Sequence, residues 1–344
     1  MFVVRSAVDD DVPALLRLAR TVHSSNLPPD PVALRDRVEW SSECFAGRSG
    51  GDPAVYMFVL EDTTAGRVAG TSSLVTGKGT ADRPRLFLRV RKREHYSRDL
   101  QAGQVQMTLQ LGRDASGPTE LGGLVIASSW RGSPHRLGSL LSKMRFAYIG
   151  SFPDRFDHRL IGEIMGDLTA DGRTMLWDHL GRRFINLSYV EADAFSRTSK
   201  EFIMSLFPEG EIYASLLPAE ARRLIGRVAP AAVPAMRMLE RQGFRRCDEV
   251  DPFDGGPNLE AERDEVPLVR QTIQCAVDGL VEDVAEGSSC FVTSGAGGGF
   301  RGIRASVERP DGGGVVLARA DAELLGVSKG DEVGVTPESA GQPE

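Results

Sequence analysis

The chain has 344 residues, 41% hydrophobic and 26% charged, with a net charge of -7, which is ordinary globular composition and enough chain for one large core or two modest ones. The acidic balance argues against nucleic acid as a partner, because a phosphate backbone needs a basic face, and no segment approaches the ~20 apolar residues of a membrane span. The first residues run straight into folded-looking sequence with no signal-peptide pattern, so cytoplasm is expected, and the four cysteines and five scattered histidines suggest reduced thiols and no metal.

In chain order, residues 1–5 read as a strand, and Val12, Leu15, Leu16 and Ala19 recur at helical spacing behind Asp9, Asp10, Asp11 and Pro13, a helix start. A second helix is expected over residues 31–40. Residues 56–60 and 67–75 read as a hairpin, with further strands near 86–90 and 106–111. Leu124, Val125 and Ile126 then form a short apolar run, Arg131 to Gly138 is a turn, and Leu137, Leu140, Leu141, Met144 and Ala147 return at helical spacing. The N-H groups that open such a helix have no intrahelical partner, and its macrodipole is positive there. A strand, turn and helix in this order therefore suit an anionic pyrophosphate; taken alone, such a segment is more often an ordinary strand, loop and helix.

Further on, a strand is expected at 160–165, a helix around 174–180 and a strand at 184–189. Helices follow at 200–206, 218–224 and 230–242, then a strand at 244–250 and a turn at 253–257. Past Gln271 the sequence turns glycine- and serine-rich, reading as flexible or turn-rich. There residues 304–308 and 315–318 flank Asp311-Gly312-Gly313-Gly314 as a hairpin, and residues 324–335 read as a short helix, turn and closing strand.

The order strand, two helices, hairpin, long strands, cradle and helix is similar to that of the N-acetyltransferase-like superfamily, in which the turn holds the pyrophosphate of coenzyme A. Later segments resemble one family within it, arginine N-succinyltransferase. The residues that carry the likeness are Leu176-Trp177-Asp178-His179-Leu180-Gly181-Arg182-Arg183-Phe184, Tyr189-Val190-Glu191-Ala192-Asp193, Ile225-Gly226-Arg227-Val228, Met238-Leu239-Glu240-Arg241-Gln242-Gly243-Phe244 and Phe253-Asp254-Gly255-Gly256-Pro257. The likeness covers about residues 1–270, and the C-terminal module lies outside it.

The resemblance implies an α/β (α+β) fold, an acyl-CoA N-acyltransferase-like mixed sheet flanked by helices. Residues 1–190 would form the core, 191–270 a lobe completing the catalytic domain, and 271–344 a small β-rich module with a flexible end. It implies transfer of succinyl from succinyl-CoA to the α-amine of L-arginine in arginine catabolism, without a metal, on small-molecule substrates and with subunits associating as a homo- or hetero-oligomer. Leu124 matches the family's succinyl-CoA contact; Val125 and Ile126 continue that strand, and Arg131 and Gly138 remain in the cradle. All three strand residues are also ordinary strand core.

The chain departs from the family's pattern at Arg113-Asp114-Ala115-Ser116-Gly117, at Glu163-Ile164-Met165-Gly166, in the cradle turn His135-Arg136-Leu137-Gly138, which has one added residue, and at the proton donor. Where the family reads Gly-x-Val-His-Pro, with the histidine as proton donor, this chain reads Gly226-Arg227-Val228-Ala229-Pro230, and Ala229 cannot transfer a proton. A lost acid or base typically costs about 10²- to 10⁴-fold. His95, which matches a family histidine, is the best remaining residue that titrates near neutrality, though it reads equally as a strand-surface histidine. Tyr148, Tyr189 and Tyr213 read first as packing residues, and Asp254 as a turn residue. Glu163, after a strand, is placed to grip a substrate ammonium or guanidinium, or to be a solvated carboxylate. Two alternatives follow: a catalytically impaired binding or regulatory subunit, or an acyltransferase for another amine such as ornithine.

Overall fold

The computed structural model describes residues 1–22, 26–48, 53–169, 171–295, 299–310 and 313–339. β1 (Phe2–Ser6) is followed by α1 (Val12–Ala19) and α2 (Pro31–Phe45), then by β2 (Val55–Asp62), β3 (Arg67–Val75), β4 (Arg85–Ser97), β5 (Ala102–Asp114) and β6 (Thr119–Ile126). α3 (Leu137–Ser151) leads to β7 (Arg159–Glu163). A lobe of short helices follows: α4 (Arg182–Phe184), α5 (Tyr189–Ser196), α6 (Glu201–Leu206), α7 (Ala219–Arg222) and α8 (Val233–Glu240), with β8 (Ile212–Tyr213) among them. β9 (Arg245–Val250), β10 (Pro257–Glu262) and α9 (Pro267–Arg270) come next. The C-terminal module is β11 (Ile273–Val281), β12 (Ser288–Ser294), β13 (Arg301–Val307), β14 (Val315–Ala318), α10 (Arg319–Leu325) and β15 (Glu332–Pro337).

The strands join in one mixed sheet of order β14-β11-β15-β12-β13-β1-β2-β3-β6-β7-β10-β9-β4-β5-β8. Its centre is buried on both faces. On β2, Tyr56, Phe58 and Leu60 face the core that contains α3, while Val55, Met57 and Val59 face the one that contains α1, Leu34 and Val38, as the two-residue strand period requires. A third core places Leu86, Leu88 and Leu109 under the helical lobe. On β1 the consecutive Val3 and Val4 belong to different cores, Val3 to that of the C-terminal module, and β1 pairs with β13 at Val4↔Gly302 and Arg5↔Arg301.

Four expectations differ. Residues 184–189 form no strand. The chain leaves a π-helical turn (Trp177–Gly181) and α4, and Ser188 then opens α5 with a capping box: its hydroxyl accepts from Glu191 N at 3.3 Å, while the Glu191 carboxylate accepts from Ser188 N at 2.8 Å. Residues 304–308 and 315–318 are not a hairpin ladder either. β13 pairs with β12 and β1, β14 runs parallel to β11, and one bridge, Glu308↔Val316, joins the two segments; Asp311 and Gly312 of the expected turn lie outside the described residues. Of the stretch expected to be flexible, Thr293 and Ser294 complete β12, while 296–298 lie outside the described residues, as do 340–344 at the chain end. Finally, β4 and β5 are longer than their apolar stretches, because cross-strand pairing continues through charged residues to Ser97↔Ala102.

Candidate active site

β6 and β7 are parallel neighbours that pair only at Thr119↔Leu160 and Glu120↔Ile161. Beyond that point β6 follows β3 to Ile126 and β7 follows β10 to Glu163, so the sheet opens between them. Among the described residues, the edge of β6 that faces the opening has no strand partner after Glu120, which leaves main-chain groups there for a ligand. A bulge shapes this edge. Gly123 sits at φ +61°, the register against β3 shifts there, and Leu124 comes to pack with Leu121 on the α3 face, while Val125 is buried on the other. Strict alternation would separate Leu121 from Leu124; the extra residue of a bulge allows both.

Past Ile126 the chain turns into the cradle. Trp130 packs edge-on to Phe2 with ring centroids 5.6 Å apart, and the His135 ring lies 5.1 Å from the same phenylalanine. The exposed Arg131 donates from Nε to Ile126 O at 3.1 Å. Arg136, left-handed at φ +51°, precedes α3 and makes no side-chain capping bond. The N-H groups of Leu137, Gly138 and Ser139 therefore open the helix without an intrahelical acceptor. Gly138 keeps the approach clear, since a Cβ there would touch only Ile126, at 3.7 Å.

The base of the opening holds a network of buried charges. Glu120, 2% exposed, pairs with Lys78 at 2.5 Å and accepts from Asn26 Nδ2 at 2.7 Å, and Arg37 donates to Asn26 at 3.1 Å. Glu163, at the end of β7, lies 3.9 Å from Lys78 and 3.7 Å from Arg85. Arg85 in turn donates to Glu249 at 2.5 Å and stands 3.4 Å from Asp114, which Arg159 also engages. Burial works against the Glu120 carboxylate, but Lys78, the Asn26 hydrogen bond and Arg37 outweigh it and hold its pKa below the usual range.

The far wall is laced by main-chain bonds at the end of β7. Gly166 bridges to Val228, Ala229 N donates to Met165 O at 3.0 Å, and Gly226 N donates to Gly255 O at 2.8 Å. Ala229 thus lies on the β7 side of the opening. Asp254 ties this wall together by accepting from Gly166 N at 2.9 Å and Gly256 N at 2.7 Å. Burial, only partly offset by those two N-H groups, raises its carboxyl to about 6. Burial and the neighbouring Asp254 push Asp251 well above the ordinary range as well.

The fold brings Leu124, Val125, Ile126, Arg131 and Gly138 together on the β6 side and sets Glu163 and Ala229 on the β7 side. It does not bring His95 to them. That residue is exposed on the distal part of the β4–β5 hairpin, with its Nε2 3.4 Å from the Tyr213 hydroxyl, and β4 is four strands from β6 in the sheet. Tyr148 is packed among Phe45, Tyr56, Phe58 and Phe300, and burial raises its pKa; burial does the same to Tyr189. Sequence reasoning missed Lys78, Glu120, Arg85 and Asp251. Only Glu120 carried a signal, as a carboxylate opening an apolar strand, because the others meet through loops far apart in the chain. Among the described residues no group of His, Cys, Asp or Glu is arranged for a metal ion, the four cysteines are unpaired, and no helix is long and apolar enough to cross a membrane.

Residues 2–268 match the family model described as arginine N-succinyltransferase beta subunit, and residues 274–337 match the model for the C-terminal domain of that same beta subunit. The likeness therefore extends into the C-terminal module, beyond the segments whose motifs first suggested it. The arginine N-succinyltransferases of Citrobacter koseri and Escherichia coli are 33% and 34% identical to this chain over 343 residues, 97% of this chain and 96% of each relative. A solved structure titled arginine/ornithine succinyltransferase subunit AI, from Pseudomonas aeruginosa, matches with a TM-score of 0.83 at 29% identity, covering 100% of this chain and 99% of the other.

Proposed function

Because the chain belongs to the arginine N-succinyltransferase family of N-acyltransferases, which act on small molecules with an acyl-CoA donor, we propose that it transfers succinyl from succinyl-CoA to the α-amine of L-arginine. The observation that carries this reading is the parting of β6 and β7, with an uncapped helix start at one side and a carboxylate-rich wall at the other. The pyrophosphate would rest on the N-H groups of Leu137, Gly138 and Ser139, with Arg131 beside them. The pantetheine would lie along Leu124, Val125 and Ile126, whose free edge offers an N-H to the thioester oxygen. Glu163 would hold a cationic group of the acceptor. The neutral α-amine attacks the thioester carbonyl carbon, the C-N bond forms as the C-S bond breaks, and the amine's proton passes to solvent or to the departing thiolate.

His95 is carried as the proton donor only if the β4–β5 arm of another subunit reaches the site, a homo- or hetero-oligomer being part of this proposal. His95→Ala with an unchanged rate removes that role. The catalytic unit is read as 1–190 with 191–270, carrying the module 271–344, and the four unpaired cysteines support a reducing cytoplasm.

Ala229 favours a second reading, a binding or regulatory subunit that has lost turnover. Thiol release from succinyl-CoA, followed with arginine, ornithine and lysine in parallel, separates the two. Release with arginine is expected; none with any amine overturns the enzymatic reading. Ala229→His should raise kcat about 10²-fold or more if the site still has its family's geometry.

A further inference from the structure

The β4–β5 hairpin extends past the rest of the sheet. β9 accompanies β4 only at Leu88 and Arg89, and β8 accompanies β5 only at Thr108 and Leu109, so from Lys92↔Met107 to Ser97↔Ala102 the ribbon has two strands and, among the described residues, no third. Its two faces differ. Register and the two-residue period put Arg91, Arg93 and His95 on one face with Thr108, Gln106 and Gln104. That face is satisfied within the chain, because Glu211 pairs with Arg91 and Arg93, and His95 Nε2 lies 3.4 Å from the Tyr213 hydroxyl. The other face begins as core. Leu88↔Leu111 and Val90↔Leu109 pack under the helical lobe, and the same face then continues past the lobe as Lys92↔Met107, Glu94↔Val105 and Tyr96↔Gly103. There Tyr96 is 68% and Val105 61% exposed, with Leu100 at the tip 79% exposed. The Tyr96 ring lies across Gly103, where an added Cβ would come 3.4 Å from it, so the tyrosine and its diagonal neighbour Val105 form one apolar strip. Among the described residues, the side chains of Lys92 and Glu94 beside it have neither a hydrogen bond nor an ion pair. A two-stranded ribbon is marginal in water by itself, and an exposed apolar strip rimmed by polar groups marks a contact surface.

The charges on this face select its partner. It carries one cation and one anion two residues apart, so a second copy related by a two-fold axis sets each Lys92 against the other copy's Glu94, whereas a partner of a single sign would leave one of the two facing its like. We propose that the apolar face of the distal β4–β5 arm is an interface for a second copy of this chain, arm against arm, with Tyr96 and Val105 at its centre and two Lys92–Glu94 pairs beside them. The inference names the contact for the subunit association included in the reading above. It does not use His95, which is on the opposite face, and it stands whether or not the chain transfers succinyl.

Sedimentation velocity on the full chain across a concentration series tests it. The wild type should form a dimer, and Tyr96→Asp or Val105→Asp should raise its dissociation constant about 100-fold, the weight of a residue at the centre of an interface. Gln104→Ala, on the His95 face, should leave it unchanged. Charge exchange supplies a readout that a folding defect cannot imitate. Lys92→Glu gives a face with two anions and Glu94→Lys one with two cations, so each variant alone should weaken the dimer about 10-fold, and mixing the two should restore it as a heterodimer. A wild type that stays monomeric throughout, which would leave the face to a partner of another sequence, overturns the inference. So does a dimer that survives both Tyr96→Asp and Val105→Asp, or a mixture of the charge variants that associates no more tightly than either alone. The acyltransferase reading fails separately, by an absence of thiol release from a chain that still dimerises.

Discussion

At the scale of single residues, burial and the presence or absence of a cationic partner together decide what each carboxyl can do. Asp114 is held down to about 2 by its hydrogen bonds from Ser116 and Arg159 although burial opposes it, whereas Asp254, with backbone N-H partners, is raised to about 6. The two signs predict opposite pH dependences. Asp114 contributes stability that is present above its unfolded value near 3.8 and is lost as pH falls towards 2. Asp254 binds its proton more tightly folded than unfolded, so its contribution is complete below 3.8 and is lost as pH rises through about 6. Between pH 4 and 6 the slope is therefore expected from Asp254 and its neighbour Asp251, with about 3 kcal/mol at stake for Asp254. Urea midpoints at intervals across this window should flatten for Asp254→Asn, at lower absolute stability because one of its two N-H partners is lost. An unchanged slope would show that the ionisation of Asp254 is not coupled to folding. For Glu163, 3.7–3.9 Å from its cations rather than in tight contact, Glu163→Gln is expected to raise KM for arginine several-fold while KM for succinyl-CoA stays put; the reverse pattern would assign the residue to the donor.

At the scale of elements, the site depends on one bulge. A left-handed backbone costs a non-glycine residue about 1–2 kcal/mol, and at Gly123 a Cβ would also come within 2.9 Å of Ser73 Oγ. Gly123→Ala is expected to lose about that much stability and to weaken coenzyme A binding, because the bulge aims Leu124 and Ile126. Gly66, at φ +59° in the β2–β3 turn with nothing within 4 Å, supplies the comparison: Gly66→Ala should carry a similar backbone cost and leave coenzyme A affinity intact. Equal affinities in both variants would mean that the bulge does not position the ligand. The lobe makes a related point. Phe184, Ile185 and Leu187 look like a strand, but the Ser188 and Glu191 caps start a helix, and Trp177 donates to Leu187 O at 3.0 Å. Local hydrogen bonds took the backbone that a ladder would have used.

At the scale of the molecule, the C-terminal module is bound into the main core. Phe300, 1% exposed, packs among Phe45, Phe58 and Tyr148, and Gly302 admits Met144 of α3 where a side chain would collide. Phe300→Ala is expected to cost about 3–5 kcal/mol. Calorimetric unfolding should show one transition for the whole chain, shifted as a unit by Phe300→Ala. Two transitions, with only one of them moved, would make the module an independent domain.

Periodicity and motif were sufficient, from the sequence alone, for the mixed α/β class, the succession of strand, turn and helix around residues 124–147, and the family, because they are properties of neighbouring residues or of segments in fixed order. Tertiary structure alone decided the rest. Lys78, Arg85, Glu163 and Glu249 are scattered over more than a hundred positions, and no local pattern marks charges that meet only in the folded sheet. Strand order likewise decided that His95 stands on an arm four strands from β6 within one chain. Pairing partners in a sheet, and the burial and partners that set a carboxyl's proton affinity, depend on contacts between distant segments, which is why a linear reading found the strand, turn and helix and missed the charges beside them.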